Sequence, residues 1–237
     1  MPARVLLLQI RDADDPMRPQ ELECFRRRMP RASVEARSLL FGRVPPEDLD
    51  PFDAVMVGGA GRYSCVANQE EWYLAACRTM EALLERGTPL FASCWGIQAL
   101  GGVLGARVVH DPENREIGTF PIHLTGEGMD DPLFAGMPRS FPAQVGHQDR
   151  LDRVPPGAVL LAYSDRAPVQ CFRMAGLPVY ATQFHPEMNR AENLERLHVY
   201  RHKYTFDEAT FQAMVDSFQE SPHTEPLMQR FLHLYCA

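Results

Sequence analysis

Cys94 lies where an apolar run meets a short helical pattern, within residues 91–98 (FASCWGIQ). A strand that runs directly into a helix places the residue between them on a sharp turn, which is the geometry of a nucleophile elbow. Such a turn needs small residues two positions before and after the nucleophile, and Ala92 and Gly96 meet that need. The dipole and free N–H groups of a helix N-terminus favour a thiolate. This context predicts a nucleophile, although a lone cysteine at a strand end is more often a buried structural residue.

A second segment with chemical potential ends another predicted strand, where His185 and Glu187 follow residues 179–184. At the end of that strand, His185 can point toward a nucleophile on a neighbouring strand, and Glu187 can turn back to fix the imidazole tautomer. A histidine near a glutamate is common on protein surfaces, so the pair alone is weak evidence. Together with an elbow cysteine, the pair predicts a Cys94–His185–Glu187 triad.

Three glycines occur at positions 58, 59 and 61, directly after the predicted strand 54–57. Bare backbone at the end of a strand can present N–H groups to an oxyanion. An ordinary turn between a strand and a helix is the alternative interpretation. A phosphate site is disfavoured, because no Lys-Ser/Thr pair follows and the G-x-G-x-x-G spacing is not met.

Strand and helix patterns alternate along the N-terminal part of the chain. Short apolar runs of the kind found in strands buried on both faces occur at 5–10, 54–57 and 90–93. A further strand is predicted at 33–39, and helices are predicted at 20–29, 68–87 and from 95. This order predicts an α/β fold, a three-layer open sheet that is largely parallel, with helices on both faces. Short strands separated by turn residues follow at 107–110, 120–124, 159–162, 169–174 and 179–184.

Beyond Pro186 the apolar spacing becomes helical. One predicted helix face consists of Phe211, Met214, Val215 and Phe218, and another of Leu227, Phe231, Leu234 and Tyr235. We therefore predict one domain over residues 1–190 and a helical C-terminal extension over residues 191–237, packed on the same domain.

Composition argues against several classes of function. With 24 Lys and Arg against 31 Asp and Glu the net charge is −7, which provides no electrostatic footprint for nucleic acid. Residues 87–106 lack charge, but their proline and glycines predict a strand, a turn and a helix rather than a membrane span. Six cysteines without C-x-x-C spacing and an N-terminus without a signal-peptide pattern predict a cytoplasmic protein with reduced thiols. The histidines show no paired ligand spacing, so we expect no metal.

The motifs together resemble one family. Cys-x-Gly-x-Gln at 94–98, the Gly-Gly pair at 58–59 and QFHPE at 183–187 resemble the class I (triad-type) glutamine amidotransferases, and the similarity spans residues 4–187. Residues 116–118, 145–149 and 168–170 are further similar to stand-alone members that resemble the amidotransferase domain of GMP synthase.

This resemblance implies a role for each matching residue. Cys94 is the expected nucleophile, His185 the general base and acid, and Glu187 the partner that orients His185. The N–H groups of Gly59 and Trp95 are expected to form the oxyanion hole. Gln98 and His147 are expected to help hold the substrate.

Two positions depart from the family pattern. Ala92 stands where the family usually has glycine, and Ala60 stands where it commonly has proline. Alanine is small enough for the elbow, so the triad prediction stands. The change at position 60 bears on the loop that would carry the oxyanion donor at Gly59.

The implied reaction is hydrolysis of the glutamine side-chain amide through a γ-glutamyl thioester, which releases ammonia for an acceptor without a cofactor. The sequence has no P-loop and no length for an ATP-binding domain, so a synthetase is expected to be a separate subunit. Two alternatives remain open: a γ-glutamyl peptide hydrolase, and a catalytically silent binding module of the same fold. The expected partners are L-glutamine or a γ-glutamyl compound, with no nucleic acid and no membrane.

Overall fold

The computed structural model describes residues 2–42, 44–203 and 207–236. Its strands are β1 (Ala3–Ile10), β2 (Ala32–Ser38), β3 (Ala54–Ala60), β4 (Leu90–Ser93), β5 (Val108–His110), β6 (Glu116–Leu124), β7 (Ser140–His147), β8 (Asp149–Leu151), β9 (Ala158–Tyr163), β10 (Cys171–Met174) and β11 (Val179–Thr182). Its helices are α1 (Met17–Arg28), α2 (Glu71–Glu85), α3 (Trp95–Val103), α4 (Gly126–Asp130), α5 (Arg190–Val199), α6 (Glu208–Asp216) and α7 (Leu227–Tyr235).

Within the described residues, nine strands form one sheet in the order β2-β1-β3-β4-β11-β10-β9-β6-β7. The strands from β2 to β11 in this order pair in parallel, and those from β11 to β7 pair antiparallel. Because β4 and β11 are parallel neighbours with Ser93 opposite Thr182, the residues that follow both strands meet at the carboxyl ends of these strands. Cys94 and His185 lie there.

Hydrophobic side chains alternate between the two faces of the sheet. Along β1, Leu6 and Leu8 pack on one face with α2 and α3, whereas Val5 and Leu7 pack on the other face with α1 and α7. Alternation of this kind is the period of a strand buried on both sides. The predicted three-layer α/β fold is therefore confirmed.

The C-terminal helices pack on this sheet. The Phe231 ring of α7 lies 5.4 Å from the Phe91 ring of β4, centroid to centroid, in an edge-to-face contact. Leu197 of α5 packs with Ile117 of β6. Leu234 and Tyr235, predicted on the same face of α7 as Leu227 and Phe231, are each 37% exposed instead. The proposed domain division at residue 190 stays a prediction.

Two features differ from the expectations. The strand β7 lacks a strand pattern in the sequence because Pro142 and Gly146 interrupt it; it forms at the edge of the sheet, where proline is tolerated. Gly58, Gly59 and Ala60 continue β3 rather than forming a turn. As predicted, the uncharged residues 87–106 contain a strand and a helix, β4 and α3. No helix in the described part of the chain is both long and apolar enough to cross a bilayer.

Candidate active site

Cys94 occupies the turn between β4 and α3, as the elbow prediction requires. Its backbone has φ 53° and ψ −103°, which is a strained conformation for a residue with a side chain. The Cys94 N–H donates to the Thr182 carbonyl at 2.8 Å, so β11 holds the turn in place. A Cβ on Gly96 would lie only 2.9 Å from the Val57 carbonyl oxygen and 3.0 Å from the Ala92 Cβ. The close approach of β3 to α3 therefore explains the small residues around the cysteine.

His185 and Glu187 lie beside this elbow. The His185 N–H donates to the Gln144 carbonyl at 2.8 Å, which fixes the backbone after β11. Its side-chain Nδ1 lies 2.6 Å from Glu187 Oε1. The imidazole and the Cys94 side chain border the same small cavity, and a Cβ on Gly59 would contact both. All three residues are buried. The structure thus brings the three predicted triad residues into one contiguous set.

Charge interactions decide the protonation of His185. Burial alone would lower the pKa of His185, but the Glu187 carboxylate and then Cys94 raise it to about 9. Burial would raise the pKa of Glu187, but His185 and then Arg196 lower it. At neutral pH this arrangement favours an imidazolium at His185, beside the Glu187 carboxylate and the Cys94 side chain.

The predicted oxyanion residues border Cys94. A Cβ on Gly59 would lie 3.2 Å from His185 Cε1 and 3.6 Å from Cys94 Cβ, so only glycine fits there without a shift. The Gly59 N–H donates to Glu21 Oε1 at 3.2 Å, and an oxyanion must compete with this buried carboxylate for it. Trp95 is the first residue of α3, so its N–H has no acceptor within the helix. The oxyanion roles of Gly59 and Trp95 stay predictions.

Gln98 and His147 hold the wall of the site through their side chains. Gln98 Nε2 donates to the Asp149 carbonyl at 2.7 Å and to Gln183 Oε1 at 3.2 Å. The buried His147 imidazole is held by Glu116, whose Oε2 lies 2.8 Å from His147 Nε2. Both residues border the open cavity next to Cys94. Their substrate-binding role stays a prediction.

The three GMP synthase-like segments meet at this wall. Gln170 Nε2 donates to the same Glu116 oxygen as His147, at 2.5 Å. Residues 116–118, 145–149 and 168–170 therefore share one buried hydrogen-bonded cluster behind the site. The cluster fixes the backbone that borders the thiol.

A buried ionic cluster lies on the other side of the triad, and sequence reasoning missed it. Arg11 donates to Glu21 Oε1 at 3.0 Å. Arg196 of α5 lies 4.0 Å from that oxygen and 3.7 Å from Glu187 Oε1. The one sequence feature that could have pointed to Arg11 is the change from apolar to polar residues at the end of strand β1. No motif marked Glu21 or Arg196, because their partners are distant in the sequence.

Two cavities meet at Cys94. The larger, about 500 Å³, is open and is bordered by Trp95, Gln98 and Asp149. The smaller, about 50 Å³, is bordered by His185 and by α5. A third cavity of about 490 Å³, between α4 and α7, contains no triad residue. Among the described residues, no three His, Cys, Asp or Glu side chains cluster in a way that could hold a metal ion.

The fold and the site define an α/β protein with a cysteine elbow beside a buried His–Glu pair. Residues 49–199 match the family described as glutamine amidotransferase class-I. The chain therefore belongs to the class I glutamine amidotransferase family of enzymes, as its motifs predicted.

Individual relatives agree with this assignment. A glutamine-hydrolyzing GMP synthase subunit of Ignicoccus hospitalis is 31% identical over 149 residues, which are 63% of this chain and 74% of that protein. The glutamine-hydrolyzing GMP synthase of Thermomicrobium roseum is 39% identical over 106 residues, 45% of this chain but 19% of that protein. The chain thus matches about a fifth of the length of such single-chain synthases. A glutamine amidotransferase of Thermotoga maritima shares the fold, with a TM-score of 0.76 at 22% identity, over 99% of this chain and 98% of that one.

Proposed function

We propose that this chain hydrolyses the side-chain amide of L-glutamine and supplies the ammonia to an acceptor reaction. The observation that carries the proposal is the buried, contiguous set of Cys94, His185 and Glu187, with the His185 Nδ1 2.6 Å from the Glu187 carboxylate. Membership of the class I glutamine amidotransferase family supports the same reaction.

The proposed steps follow from the positions of these groups. The Cys94 thiolate attacks the amide carbon, and the N–H groups of Gly59 and Trp95 stabilise the resulting oxyanion. His185, held protonated by Glu187, gives its proton to the departing nitrogen, so ammonia leaves and a γ-glutamyl thioester forms. His185 then takes a proton from water, whose oxygen attacks the thioester, and glutamate leaves with the thiolate restored.

Cavity size decides where the glutamyl part of the substrate lies. Glutamine has roughly ten non-hydrogen atoms, whereas a single water already takes about 30 Å³ in the liquid. The small cavity of about 50 Å³ is therefore too small for the glutamyl chain. The open cavity of about 500 Å³, which borders Cys94 and Gln98, is large enough.

We propose that the ammonia is used in a reaction on a separate synthetase subunit. This part of the proposal is supported by the similarity to a protein named as one subunit of a GMP synthase, together with the match to only part of the single-chain synthases. On this proposal, glutamine hydrolysis by the isolated chain is weak and increases when the synthetase subunit is added.

The test is ammonia release from L-glutamine by the wild-type chain, alone and with a GMP synthase subunit that carries the ATP-dependent half of the reaction. Cys94→Ala and His185→Asn serve as the inactive comparisons. Release that depends on Cys94 and His185 supports the proposal. Fast cleavage of γ-glutamyl dipeptides with glutamine as a poor substrate would favour the peptidase instead. A wild-type chain that cleaves none of these compounds, with or without the synthetase, would be a silent binding module.

A further inference from the structure

The small cavity borders the side of Cys94 from which a leaving group must depart. Among the described residues that line the two cavities, His185 borders only the small one, whereas Trp95 and Gln98 border only the large one. The leaving nitrogen must lie within hydrogen-bond reach of the acid that protonates it. With the glutamyl chain in the large cavity and His185 as the acid, the nitrogen of the tetrahedral intermediate points into the small cavity.

One wall of the small cavity comes from α5 and the residue that follows it. Arg196, Leu197 and Tyr200 line this wall. Leu197 and Arg196 are buried, and Tyr200 is half-buried. A Cβ on Gly61 would lie only 2.3 Å from the Tyr200 hydroxyl, so the loop after β3 closes directly onto the tyrosine.

Hydrogen bonds hold the Tyr200 ring in place. Its hydroxyl accepts from the Arg11 guanidinium at 2.5 Å and donates to the Asp15 carboxylate at 2.7 Å. Arg11 is itself buried and ion-paired with the fully buried Glu21. Because both partners of the hydroxyl are anchored, the ring forms a fixed wall rather than a side chain free to rotate away.

We propose that this small cavity is the leaving-group compartment and that Tyr200 limits its size, so that the enzyme accepts unsubstituted γ-amides and rejects γ-glutamyl amines and peptides. The inference rests on the proposed function and adds to it the residue that determines specificity. A volume of about 50 Å³ is less than the roughly 60 Å³ that two waters take in the liquid, and it is enough for ammonia. An amino-acid leaving group does not fit unless α5 moves.

The test compares kcat/KM for L-glutamine, γ-glutamylmethylamide and γ-glutamylglycine. For the wild-type chain, we expect kcat/KM for the methylamide to be at least about tenfold below that for glutamine, and γ-glutamylglycine to be slower still. Tyr200→Ala should raise the methylamide-to-glutamine ratio at least about tenfold, because it removes the wall. Tyr200→Phe keeps the ring but removes the hydroxyl that anchors it, so its ratio should lie between those of wild type and Tyr200→Ala.

Two further variants make the result interpretable. Tyr163→Ala removes an exposed tyrosine of β9 that borders neither cavity, so its ratio should equal that of wild type. Leu197→Ala widens the same compartment without touching the Tyr200 hydroxyl, and it should change the ratio in the same direction as Tyr200→Ala. It also provides a second measurement if Tyr200→Ala does not fold.

Two results would overturn the inference while leaving the proposed function intact: wild-type cleavage of γ-glutamylglycine as fast as glutamine, or unchanged ratios in both widened variants. Failure of the wild-type chain to cleave any of the three compounds would instead contradict the proposed function, and the inference with it.

Discussion

Glu187→Gln tests the electrostatic account of the triad. The substitution keeps the shape of the side chain and an oxygen that can accept from His185 Nδ1, but it removes the negative charge. That charge is the largest of the effects that raise the pKa of His185 to about 9. In the variant, burial continues to lower the pKa of His185, and Cys94 is the main remaining group that opposes it.

The size of the effect follows from the two limits of the His185 pKa. With a pKa of about 9, roughly 90% of His185 is imidazolium at pH 8. If the pKa returned to the ordinary value of 6.5, the imidazolium fraction at pH 8 would be roughly 3%. The His185 imidazolium should therefore lose its proton at a lower pH in the variant. We expect the alkaline midpoint of kcat/KM to fall by at least about one pH unit.

The assay is the pH dependence of kcat/KM for glutamine between pH 6 and about 10. Glu195→Gln is the matched control, because it removes one carboxylate from an exposed position of α5, the helix that follows Glu187. Its alkaline midpoint should coincide with that of wild type. A Glu187→Gln midpoint within about 0.3 pH units of wild type would refute the assignment of Glu187 as the charge that keeps His185 protonated.

Three further predictions concern the same elements. Cys94→Ala should abolish glutamine hydrolysis with the fold retained. Cys94→Gly should be equally inactive but about 1 kcal/mol more stable than Cys94→Ala in urea unfolding, because glycine adopts the positive φ of this position without strain. An alanine variant at least as stable as the glycine variant would contradict the backbone strain at Cys94. Gly96→Ala should lower the free energy of unfolding by about 1–3 kcal/mol because its Cβ meets the backbone of β3, and an unchanged urea midpoint would refute this packing argument. In kcat, the double variant of His185→Ala with Glu187→Gln should fall little below His185→Ala alone, whereas multiplicative losses would show that Glu187 acts elsewhere.

Local sequence patterns predicted the parts of the fold that depend on short-range order. The apolar runs and the strand-to-helix junction at Cys94 determine β1, β3, β4 and the elbow, and these formed where the sequence indicated. The antiparallel half of the sheet was harder to predict. Its edge strand β7 contains Pro142, and its pairing depends on partners that are distant in the chain.

The active-site residues were likewise predictable only where a local sequence pattern marks them. The motifs located Cys94, His185 and Glu187, because each follows a recognisable strand. They did not indicate that Glu21 holds the Gly59 N–H or that α5 closes the leaving-group side. Those contacts join α1 and the C-terminal helices to the strand ends, and residues so far apart in sequence leave no local pattern.

The central claim is that Cys94 is the nucleophile toward a γ-glutamyl carbonyl. The most direct measurement is labelling by a glutamine-like chloroketone, followed by mass spectrometry of the intact chain and its peptides. One adduct on Cys94 is expected, blocked by L-glutamine and slowed in His185→Ala. Cys65 should remain unlabelled, because it is buried and burial raises its pKa. An adduct on another cysteine that glutamine does not block, or equal labelling in Cys94→Ala, would contradict the account.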